Sequence, residues 1–151
     1  MKLAEALAER SDCLKRLEEI GARLEQSARI QEGDQPTEDP SELLAETDRI
    51  YARLLELISA VNRTNSRTAF DGERTISDAI AERDILGKRR DFLARVAGSG
   101  SSRWDRYSKS EVRYVMTLPV GKLRAEADQL SKRYREVDLQ IQELNWKTEL
   151  I

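Results

Sequence analysis

Histidine is absent from all 151 residues, and that absence settles much of the chemistry on offer. The commonest general base, the commonest zinc ligand and the side chain that titrates near neutral pH are all missing. Cys13 is the single cysteine, with Asp12 beside it and Lys15 two positions on. A nucleophilic thiol needs a base, normally histidine, so Cys13 reads as structural or incidental. The serines meet the same objection, since no Ser-x-x-Lys stretch stands in a catalytic context. Carboxylates do pair on helix faces, as Glu5 with Glu9 and Glu42 with Glu46. The Glu-x-x-His element of carboxylate-bridged metal bundles still cannot be built. The acidic stretch Glu32–Asp39 lacks the spacing, the glycine and the closing glutamate of a calcium loop and reads as a solvated loop and helix cap. Neither phosphate-binding glycine motif is present, and Gly98 and Gly100 follow a helix pattern, where glycine is a helix stop. The expectation is a protein that is not an enzyme, with no metal and no cofactor.

Two polar clusters remain. Asn62, Arg63, Thr64 and Asn65, with Arg67, follow a strongly apolar helix. Together they can donate many hydrogen bonds to an anion or to a partner's backbone. The competing reading is a helix C-cap, with Asn65 in the left-handed conformation and the arginines on the last carbonyls. The second cluster is Arg103–Lys109, containing Trp104, Arg106 and Tyr107. Lys and Arg number 26 against 28 Asp and Glu, so nucleic acid is not held here by bulk charge. The 103–109 segment instead suits docking on a neighbouring subunit. A ligand site for a small anionic metabolite or nucleotide would lie between subunits. It would use Asn62, Arg63, Asn65 and Arg67, joined by Trp104, Arg106 and Tyr107. Lys88-Arg89-Arg90 is diluted by Asp84 and Asp91 and reads as a solvated helix face.

The elements that must position these residues are helical. Leu3, Leu7, Leu14, Leu17 and Leu24 form a heptad seam from about Lys2 to Ile30. Asp12–Arg16, Glu19–Arg23 and Glu25–Arg29 supply acid-before-base pairs four apart. A second helix starts with Asp39 as N-cap, Pro40 at the first position and Glu42 three after the cap. It carries two seams, Leu44-Tyr51-Leu54-Ile58-Val61 and Leu43-Ile50-Leu57, which predicts cover on two sides. After Val61 the pattern changes, and Asp71-Gly72 between short β-compatible segments predicts a hairpin with positive φ at both turn residues. A third helix is expected over about Ser77 to Ala97. Alternation over Val112–Leu118 adds a possible third strand. Pro119 opens a fourth helix with the seam Leu123, Ala127, Leu130, Tyr134, Val137, Ile141 and Leu144. Roughly 30 helical residues span ~45 Å, against a radius of gyration of about 15 Å for a compact chain of this length.

The expected fold is therefore mainly α: one domain over residues 1–151, an elongated antiparallel four-helix bundle with a small β-hairpin or three-stranded sheet at one end. Aromatics are 5% and charged residues 36%. With so few large side chains, some apolar surface is expected to be buried between chains of a homo-oligomer. The N-terminus lacks the apolar stretch of a signal peptide, and no apolar run approaches the about 20 residues of a membrane span. A cytoplasmic protein without a membrane partner is expected, with a structural or protein-interaction role.

Six segments carry a resemblance: MKLAEAL at the start, QEGDQPTEDPSELL, NRTN at Asn62–Asn65, ISDAIAERDIL, RYSKSE at Arg106–Glu111 and NWKTEL at Asn145–Leu150. In this order they resemble an uncharacterised bacterial family of about 150 residues whose members are sometimes labelled septicolysin. The resemblance implies an α-helical fold and brings no activity, cofactor or catalytic residue with it. The label suggests a secreted pore-forming toxin. The absence of an export signal, a long β-rich domain and a membrane-inserting segment argues against that.

Overall fold

The computed structural model describes residues 1–100 and 114–151. Four helices follow one another: α1 Leu3–Ser27, α2 Pro40–Arg67, α3 Ile76–Ser99 and α4 Val120–Lys147. The chain divides into two compact units, one of Met1–Ile76 with Gln142–Ile151, the other of Ser77–Ile141.

In the first unit α1 and α2 run antiparallel. Glu9 accepts from Arg53 at 2.7 Å, Arg16 donates to Glu46 at 2.8 Å, and Arg23 Nε donates to Glu38 at 2.7 Å. As the α1 partner advances along the sequence, the partner on or just before α2 recedes. In place of the expected Asp12–Arg16 and Glu19–Arg23 pairs, Arg16 and Arg23 reach across to the neighbouring segment, and Arg29 lies beyond the end of α1. Both helix starts are capped. The Glu5 carboxylate accepts the Lys2 N–H at 2.6 Å, and Asp39 accepts the Ser41 N–H at 2.8 Å ahead of Pro40. The core holds Leu3, Ala6 and Ile20 from α1 and Leu43, Leu54, Leu57 and Val61 from α2, with Ile76.

The β-hairpin and the three-stranded sheet are not there: among the described residues there are four helices and no strand. Residues 68–75 connect α2 to α3 through one isolated bridge, Ala69 to Thr75. Asp-Gly was expected to turn with positive φ at both residues, but Gly33 is the one described residue with positive φ. Asp71 instead holds the loop with its side chain. Its Oδ1 accepts the N–H groups of Glu73 and Arg74 at 3.0 and 2.9 Å, and its Oδ2 accepts from Arg74 Nε at 2.9 Å. The Arg74 guanidinium and these N–H groups push the Asp71 carboxyl down to about 2. Tyr114–Leu118, the described part of the expected third strand, is exposed and outside any strand.

α2 also runs six residues past Val61. Residues 62–67 contain no glycine or proline, so nothing in them breaks a helix. Asn65 is accordingly helical and makes no left-handed cap; Thr68 is the C-cap, its N–H bonded to the Thr64 carbonyl.

In the second unit α3 and α4 are antiparallel, tied by Arg83 to Asp138 at 2.9 Å, Arg89 to Glu126 at 2.5 Å and Arg133 to Glu82 at 3.2 Å. The Arg90 guanidinium lies 5.2 Å from the centre of the Tyr134 ring. Buried Ala79, Ala97 and Ala127 keep side chains small, beside Val137 and Ile141.

Candidate functional site

The polar residues at the end of α2 are the natural place to look for a site. At about 100° per residue, Asn65 projects on the side of the helix nearly opposite Arg63, and Asn62 and Arg67 fall between. One helix therefore does not converge these four side chains on a single point. Asn62, Arg63 and Arg67 are exposed and Asn65 is half-buried. The Asn65 Oδ1 is buried without a hydrogen-bond partner. Trp104, Arg106 and Tyr107 lie outside the described residues.

What the α2 end does hold is the 148–151 segment. Thr64 is fully buried. Its hydroxyl donates to the Ala60 carbonyl at 2.9 Å and accepts the Ile151 N–H at 2.9 Å. Arg63 donates to the Ile151 carbonyl at 3.2 Å. The other edge of this segment pairs with the start of α1. The Leu3 N–H donates to the Thr148 carbonyl and the Leu150 N–H to the Met1 carbonyl, both at 2.9 Å. Lys2 Nζ meets Glu149 at 2.6 Å, and the Met1 amino group meets it at 3.3 Å. The Lys2 ammonium first, then the amino group, hold the Glu149 carboxyl below the usual range. Asn145 is buried just before this segment. Two of the six segments that carry the resemblance, MKLAEAL and NWKTEL, thus bond to one another, and a third, NRTN, bonds to Ile151, the next residue, completing one hydrogen-bonded clamp. Thr64 stands at its centre, a member of the polar cluster that the expected anion site does not include. A β-branched hydroxyl inside an otherwise polar run was the available signal.

A shallow groove of about 600 Å³ lies where α2 begins, lined by Arg23, Glu38, Asp39, Glu42, Leu43, Ala45, Glu46 and Arg49. Arg23 is committed to Glu38 and Glu46 to Arg16, which leaves Asp39, Glu42 and Arg49 as its other charges. Among the described residues, no group of three or more cysteine, aspartate or glutamate side chains could hold a metal ion. No described helix is long and apolar enough to cross a membrane.

The outer face of α2 is the other feature. Leu44 is 54% exposed, Tyr51 59%, Leu55 68% and Ile58 38%. Of the two seams expected to be covered, Leu43 and Leu57 are buried, and from the other only Leu54 and Val61 are. Leu44, Tyr51 and Ile58 face solvent together with Leu55.

Residues 10–150 match a family described as one of unknown function, DUF6847. The fold is similar to a crystal structure described as that of a functionally unknown conserved protein from Corynebacterium diphtheriae. The two chains are 44% identical over 100% of this chain and 99% of the other, with a TM-score of 0.95. No curated protein matches. Neither description supports the septicolysin label. A match across nearly the whole chain places the protein in its family: it belongs to DUF6847, a family of unknown function.

Proposed function

We propose that this protein is a non-enzymatic, self-associating structural or protein-interaction protein. The observation that carries the reading is the apolar stripe on α2. The first unit is built on one helix pair, and one pair cannot cover a broad apolar face by itself. Leu44, Tyr51, Leu55 and Ile58 are left in solvent, with Leu14 of α1 47% exposed. Scattered apolar residues are ordinary on a surface, whereas an aligned stripe marks a contact site. The polar side chains support the same reading. Arg16, Arg23, Arg53 and Arg83 are spent on intramolecular ion pairs, and Arg63 on the clamp. Cys13 is a free thiol, which suits a reducing compartment such as the cytoplasm.

Sedimentation velocity on the full chain, from low to high micromolar concentration, tests the proposal. The expected mass is a multiple of 17.3 kDa. A monomer across the whole range overturns self-association.

A further inference from the structure

We draw no further inference here: the strongest candidate, the apolar surface patch of Leu44, Tyr51, Leu55 and Ile58 along the outer face of α2, already carries the proposed self-association, and nothing in the structure shows what covers it.

Discussion

Thr64→Val separates a clamp from a binding site. The substitution keeps the β-branched shape inside a fully buried position and removes one oxygen. That oxygen accepts the Ile151 N–H and donates to the Ala60 carbonyl. The carbonyl is part of the α2 ladder, so its loss of a second donor costs little. The Ile151 N–H loses its partner in a part-buried place. A net hydrogen bond contributes about 0.5–1.5 kcal/mol, and a stranded buried donor costs about 1–3 kcal/mol. The expected loss is about 1–2 kcal/mol, or a fall in melting temperature of about 3–6 °C for a chain of this size. Thermal unfolding by circular dichroism measures the global effect. Amide hydrogen exchange measures the local one: Ile151 and Leu150 should exchange faster, with the middle of α2 unchanged. Thr64→Ser keeps the hydroxyl and should keep the slow exchange. Equal stability and equal exchange in Thr64→Val and the parent would refute the clamp.

Asp71→Asn tests the α2–α3 connection through pH. The folded carboxyl sits at about 2, below its ordinary 3.8, so its stabilising effect is complete above pH ~4 and disappears as pH falls towards 2. Urea midpoints of parent and variant should differ at neutral pH and converge over that window; a constant offset down to pH ~2 would reject the assignment. Gly21→Ala, at a mid-helix position where an added Cβ meets nothing within 4 Å, should stabilise by about 0.5–1 kcal/mol, and a lower melting temperature would count against the α1 geometry. Leu57→Ala, at 1% exposure, should lose about 2–5 kcal/mol. Leu55→Ala, at 68%, should stay within about 0.5 kcal/mol per folded chain while weakening self-association, and equal losses at the two positions would contradict the burial pattern.

Much of the fold is legible in local chemistry. Asp39 and Pro40 announce the start of α2, and the heptads of α1, α2 and α4 locate helices. Misreadings arose where one residue pattern serves two structures. Asp-Gly signals a hairpin when the backbone turns, but here the Asp71 side chain supplies the closure, and two residues cannot distinguish the cases. The run Asn62–Arg67 is polar, which suggested an end to α2, yet polarity does not break a helix when glycine and proline are absent. Acid and base four residues apart on α1 suggested pairs within the helix, and the better partners came from a second segment. The clamp was least legible, because its contacts join residues such as Lys2 and Lys147, 145 positions apart. No local rule reaches that far. The stripe on α2 was visible as a seam, but the sequence carries no mark of which seam the chain covers for itself.

The ion pairs between α1 and the α2 segment have a consequence for alignment. A repeat of seven lets one helix slide along its neighbour by two turns and bury much the same apolar pattern, so leucines alone leave the register ambiguous. Charge removes that ambiguity. Sliding one way brings Arg16 opposite Arg53 and leaves Glu9 facing Ala60; sliding the other way brings Glu9 opposite Glu46 and Lys2 opposite Arg53. Three attractive pairs in the native alignment become one in either slipped state, with repulsion added. Exposed pairs of this kind contribute little to stability, and their larger effect is to penalise the alternatives. Exchanging charges at Arg16 and Glu46 together leaves the native alignment attractive at that pair; in the slipped state it makes position 16 attractive to Arg53 but sets Arg23 against a like charge at position 46, so the slipped state gains nothing. A helix pair so altered should therefore keep the single alignment of the natural one.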